Sequence, residues 1–189
     1  MTRLWLIRHG PTHAKAMIGW TDLPADLSET AKIDRLRAAL PQAPVVSSDL
    51  MRAVQTADAL GLQPRLPHDR HLREINFGQW DGKTFTQAEQ TDPELIRAYW
   101  ETPGDVAPPE GESWNAVRAR ADQAIDSYLA QGHQDLIIVA HFGVILTQVQ
   151  RALGISAYDA FAQRIENLSL TKISVKGSTW AAEMINHEP

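Results

Sequence analysis

Two histidines stand at matching places far apart in the chain. His9 follows the apolar run Leu4-Trp5-Leu6-Ile7 as part of Arg8-His9-Gly10. His141 follows Leu136-Ile137-Ile138-Val139-Ala140 as part of His141-Phe142-Gly143. A neutral imidazole is a nucleophile near pH 7, and a guanidinium holds an anion with paired donors. Arg8 beside His9 therefore points to an oxyanion, and to a phosphoryl group above all. For the two imidazoles to share one ligand, two strands must end side by side. In an open α/β sheet the ligand crevice lies outside the carboxyl ends of the strands.

The elements that would do this are legible. Strands are predicted at 3–8, 43–47, 64–66, 135–140, 169–176 and 179–186. The first and fourth are continuous apolar runs, as in strands covered on both faces. The last two alternate and are separated by Gly177-Ser178, a hairpin signal. Helices are predicted from Ser28 to Leu40, from Ser48 to Leu60, from Ser113 onward and from Gly143 to Leu153, each serine acting as a cap. The expected fold is α/β: a three-layer sandwich with a mostly parallel central sheet, one antiparallel edge strand and helices on both faces. A single domain of 1–189 is expected. Residues 82–112, rich in proline and polar helical fragments, form an excursion long enough to act as a lid.

Composition removes several alternatives. With no cysteine among 189 residues, disulfides, thiolate nucleophiles and Cys-based zinc sites are excluded. A net charge of −5 with no block of like charge argues against nucleic acid or an anionic membrane as the main partner. No run approaches the ~18 apolar residues of a membrane span, and the first apolar run is too short for a secretory leader. The expected location is cytoplasmic. His9 and His13, four apart, and His68 and His71, three apart, lack neighbouring carboxylates in a metal-ligand pattern, so no metal site is expected.

Four stretches together resemble the histidine phosphatase superfamily, in its phosphoglycerate-mutase-like branch. They are Leu6-Ile7-Arg8-His9-Gly10-Pro11-Thr12, Ser47 to Ala57 around Arg52, Leu72 to Gly82 around Glu74, and Ala140-His141-Phe142-Gly143. They occur in family order and span nearly the whole chain. The resemblance makes His9 the group that becomes phosphorylated, with Arg8, Arg52, His141 and Thr12 binding phosphate. Glu74 becomes the general acid, since a carboxyl near a phosphoryl dianion is pushed towards its protonated form. Each has a plainer alternative: Arg52 solvated off its helix's apolar stripe, Glu74 paired with Arg70 or Arg73, Thr12 an ordinary turn hydroxyl. Lys15, Trp20 and Thr21 are candidates for contacting the leaving group. The sequence departs from the family pattern at Pro11, usually Glu or Gln, at Lys15, usually Asn, and at Phe142, usually Gly.

The resulting expectation is a metal-independent phosphomonoesterase with no cofactor, acting on a small phosphorylated metabolite. The nearest subgroup by length and motif resembles the α-ribazole phosphatases. A homodimer is left open. Two rivals remain: a phosphoglycerate mutase using the same phosphohistidine, and a module that binds phosphorylated ligands without turning them over.

Overall fold

The strands that lead into the two histidines carry continuous apolar runs because both of their faces are covered. In the computed structural model, which describes residues 1–189, β1 is Thr2–Arg8 and β3 is Asp135–Ala140. Leu4, Leu6, Leu136, Ile138 and Ala140 enter one hydrophobic cluster, while Ile7, Ile137 and Val139 enter another. Successive side chains of a strand point to opposite faces, so one run of apolar residues serves two cores.

β2 (Val45–Ser47), β4 (Leu170–Lys176) and β5 (Thr179–His187) complete a five-stranded sheet in the order β2-β3-β1-β4-β5. β1 and β2 both run parallel to β3, whereas β4 is antiparallel to β1 and β5 antiparallel to β4. The sheet is therefore mixed. The expected antiparallel edge needs correction: the strand that reverses is β4, inside the sheet, because the terminal hairpin inserts its first strand beside β1. The edge strand β5 then runs in the direction of β1. The predicted strand at 64–66 reduces to a single bridge between Val45 and Arg65.

On one face lie α1 (Thr30–Ala39) and α2 (Met51–Leu60); on the other lie α5 (Trp114–Leu129) and α6 (Phe142–Leu153). Ser113 caps α5 as expected, accepting from the Ala116 N–H at 3.2 Å. Ser28 and Ser48 do not cap. The Ser28 N–H donates to Asp26 instead, and α2 begins later, at Met51, whose N–H donates to Asp22 Oδ1 at 2.7 Å. α6 ends on Gly154 in the left-handed region, at φ 64°.

The 82–112 excursion contains α3 (Phe85–Thr91), opened by a Thr84–Gln87 capping box, and α4 (Pro93–Glu101). Ile96 and Tyr99 of α4 are buried with Trp80 and Trp114 in the larger core. Truncating a tryptophan so placed costs ~3–5 kcal/mol. A short α7 (Ala157–Phe161), capped by Ser156, has no counterpart in the sequence-based expectation. No helix is long and apolar enough to cross a membrane.

Candidate active site

His9 lies one residue beyond β1 and His141 one residue beyond β3. Arg8 sits opposite Ala140 in the parallel register, so the two imidazoles emerge at the same level, ring centroids 5.0 Å apart. Backbone bonds lock this edge: the His9 N–H donates to Ala140 O at 3.1 Å, and Asn167 Nδ2 donates to His9 O at 2.8 Å.

The tautomer of His9 follows from its partners. Nδ1 is 2.6 Å from the Gly10 carbonyl, which can only accept, so Nδ1 carries the proton. Nε2 keeps its lone pair and accepts from Arg52 Nε–H at 3.2 Å. Burial, then the charges of Arg52 and Arg8, push the His9 pKa down to about 3 against the pull of the Gly10 carbonyl. The ring is neutral at physiological pH, and its outer nitrogen carries an unprotonated lone pair. His141 is fully buried, and neither of its ring nitrogens has a hydrogen-bond partner in the protein. Burial, followed by His9 and Arg52, holds its pKa well below the usual histidine value.

Arg52, in the first turn of α2, is 1% exposed, which removes the solvated alternative. Its Nη1 donates to Thr21 O at 3.0 Å and its Nη2 to Gly19 O at 2.7 Å. Arg8 Nη1 donates to Ile165 O at 2.6 Å, and its guanidinium lies 5.5 Å from the centre of the Phe142 ring. Phe142 thus provides a face for Arg8. Burial lowers the pKa of both arginines, yet a guanidinium remains charged across the physiological range.

Glu74 is buried against the N-terminus of α6. The Ile75 and Gly143 N–H groups each donate to Oε1 at 3.0 Å. Burial raises its pKa, outweighing these bonds and the charges of Arg52 and Arg8. A Cβ on Gly143 would stand 2.5 Å from Glu74 Oε1, so any other residue here would have to displace the carboxyl. Arg73 does not pair with Glu74; it makes a two-pronged ion pair with Asp49, both contacts 2.7 Å.

The other predicted residues are arranged differently. The Trp20 indole N–H donates to Glu74 O at 2.8 Å, and Thr21 is exposed, meeting Arg52 through its carbonyl. Thr12 is half-buried in the loop after β1, and Lys15 is exposed. His13 pairs with Asp26, His68 with Ser47 and His71 with Asp69. Sequence reasoning gave no role to Asp81, which holds the turn at 19–21, or to Arg120. Arg120 donates to the carbonyls of His71, Arg73 and Glu74 and pairs with Glu112 at 2.8 Å. Both act on backbone, so residue type and spacing carry no sign of them. A surface hollow between α1 and α2, lined by Leu27, Ile33, Arg37 and Ala59 among others, shares no residue with the site.

Fold and site together describe an α/β protein that gathers two imidazoles, two guanidiniums and a buried carboxyl beyond its parallel strands. The chain belongs to the histidine phosphatase superfamily (branch 1), whose family model matches residues 4–188. It is 32% identical over 169 residues to the bifunctional protein Rv2228c of Mycobacterium tuberculosis, covering 80% of this chain but only 44% of that protein. It is 30% identical to the adenosylcobalamin/alpha-ribazole phosphatase of Salmonella typhimurium, over 87% of this chain and 86% of that protein. The structure of Bacillus stearothermophilus YhfR superposes with a TM-score of 0.88 at 29% identity, covering 97% of this chain and 96% of that one.

Proposed function

We propose that this chain is a metal-independent phosphomonoesterase acting through a phosphohistidine at His9 on a small phosphorylated metabolite. The observation that carries the reading is the state of His9. Its inner nitrogen is tied to Gly10, while its outer nitrogen holds a lone pair between Arg52 and His141.

In the first half-reaction Nε2 attacks phosphorus, an N–P bond forms, and the ester P–O bond breaks. Glu74, whose pKa is raised by burial, gives its proton to the departing oxygen. In the second half-reaction Glu74 takes a proton from water, the water oxygen bonds to phosphorus, and the N–P bond breaks. The products are an alcohol and inorganic phosphate, with His9 and Glu74 restored. Arg8, Arg52 and His141 hold the equatorial oxygens throughout, so catalysis rests on positioning and charge stabilisation. Thr12 and Lys15, in the loop after β1, are candidates for contacting the phosphate and the leaving group. The 82–112 excursion shapes its leaving-group side: the buried Tyr99 hydroxyl makes no hydrogen bond and lies within electrostatic range of Glu74.

The likeness to an alpha-ribazole phosphatase supports hydrolysis of a small phosphate ester. The deciding experiment is phosphate release from a panel of phosphomonoesters with EDTA present, including α-ribazole phosphate and both phosphoglycerates. Chelator-resistant hydrolysis, with an acid-labile phosphoryl label that disappears in His9→Ala, is the expected result. Interconversion of the phosphoglycerates faster than phosphate release would replace this reading with the mutase. Tight binding without release or label would replace it with a binding module.

A further inference from the structure

Three consecutive backbone N–H groups converge on one carboxylate. Gly19 donates to Asp81 Oδ1 at 3.1 Å, and Trp20 and Thr21 donate to Oδ2 at 2.9 and 3.0 Å. The carbonyls of the same turn face the other way. Those of Gly19 and Thr21 accept from the two terminal nitrogens of Arg52, and between them the Trp20 indole reaches Glu74 O. Gly19 itself is seated without slack: a Cβ there would lie 2.1 Å from Ile75 O.

A free arginine side chain is long and mobile, and an anion clamp must be fixed before the anion arrives. Arg52 has five N–H donors. Two are taken by the turn and Nε–H meets His9, which holds the guanidinium beside the nucleophile and leaves one N–H on each terminal nitrogen. The turn hands its orientation on from Asp81, because peptide groups bonded at both ends polarise one another. Asp81 also places a negative charge within range of the Arg52 guanidinium.

We propose that Asp81 is a positioning residue: through the Gly19–Thr21 turn it fixes the Arg52 fork beside His9, and through Trp20 the same turn ties that fork to Glu74. The inference rests on the phosphoryl-transfer reading above. It adds a residue outside the reacting groups and predicts that two branches of one turn serve different steps.

The test compares wild type, Asp81→Asn, Asp81→Glu and Trp20→Phe, with folding checked by circular dichroism and thermal melting. Inorganic phosphate affinity is read by calorimetry, and kcat and KM are read with p-nitrophenyl phosphate and an alkyl phosphate. Asp81→Asn keeps the shape but replaces an accepting oxygen with a donor. It should weaken phosphate binding by about 10-fold and lower kcat/KM by about 10- to 100-fold, as misplacement of a clamp does. Asp81→Glu should fall between it and wild type. Trp20→Phe should bind phosphate as wild type does, but lose kcat mainly with the alkyl phosphate, whose departure needs the proton from Glu74. A folded Asp81→Asn with wild-type phosphate affinity and kcat/KM overturns the proposal, as does a lowered melting temperature with affinity unchanged. Should Asp81→Asn fail to fold, Asp81→Glu decides: wild-type affinity there overturns the proposal, and weakened affinity supports it. Absence of phosphate release from wild type would count against the phosphatase reading alone, since phosphate affinity still decides the role of Asp81.

Discussion

Arg52 donates its Nε–H directly to the lone pair of His9 Nε2. In the proposed mechanism the Nε–H therefore lies in the direction from which phosphorus approaches. An incoming phosphoryl oxygen would take over this N–H from the ring nitrogen and free the lone pair, while the turn keeps the guanidinium in place. The same contact, with the burial of the ring, keeps His9 from protonating.

His9 should stay neutral, with its proton on Nδ1, across the pH range 5–8. Its pKa is depressed to about 3, so protonation begins only well below pH 5. Histidine-selective 15N spectra of the phosphate-free protein should show a protonated Nδ1 and a bare Nε2 throughout. A titration of His9 centred near pH 6.5, or a proton on Nε2, would contradict the Nδ1–H tautomer. The acid limb of the rate profile then reports the substrate phosphate and not this imidazole.

Glu74→Gln removes the transferable proton while keeping the size of the side chain. Loss of a general acid costs about 10²- to 10⁴-fold. The loss should concentrate on esters with poor leaving groups and be slight for p-nitrophenyl phosphate, whose phenolate departs unaided. A plot of log kcat/KM against leaving-group pKa should steepen in the variant. Parallel lines for the two proteins would remove Glu74 from the acid role.

Gly143→Ala places one methyl group in the space of Glu74 Oε1 and the Ile75 side chain. In an exposed helix the same change would stabilise by roughly 1 kcal/mol. Here activity should fall about 100-fold through displacement of the carboxyl. Phosphate affinity should stay near wild type, because Arg8, Arg52 and His141 are untouched. Steady-state kinetics beside calorimetric phosphate binding would show whether the two quantities separate.

Glu74 also carries a stability cost that depends on pH. Its folded pKa lies above the ordinary carboxyl value of 4.5, so the folded state binds more protons than the unfolded state between those two values. Stability is lost as pH rises through that window, and Glu74→Gln escapes the loss. The melting temperature of Glu74→Gln minus that of wild type should grow more positive from pH 4.5 to pH 8 in phosphate-free buffer. A difference that shrinks with rising pH would show that folding does not raise the Glu74 pKa.

Much of the site was readable because its parts announce themselves by position. β1 and β3 are unbroken apolar runs ending in histidine, and a buried strand in such a sheet has few other ways to be written. Arg52 was reachable through its place in the first turn of a helix together with motif resemblance, and Glu74 mainly through the motif. The order of β4 and β5 was not readable, since alternation marks a half-covered strand but not which neighbour it takes. Ser28 and Ser48 looked like caps because local sequence favours serine there. The partner actually used at α2, Asp22, comes from a loop 29 residues away. Asp81 and Arg120 were invisible for a related reason: each grips main-chain atoms, which every residue has, and leaves no trace in its partners' identities.

The sheet order also governs when the molecule can close during synthesis. β1 precedes the other strands along the chain, yet its two neighbours are β3 and β4, and β2 pairs in the sheet with β3 alone. No strand pairing of the sheet exists until the ribosome has passed residue 135. Translation at about 5–20 residues per second leaves β1 unpaired for several seconds or more. His9 is thus translated well before the strand beside it that completes its setting. The apolar stretch Leu4-Trp5-Leu6-Ile7 is a natural holding point for a chaperone during that wait.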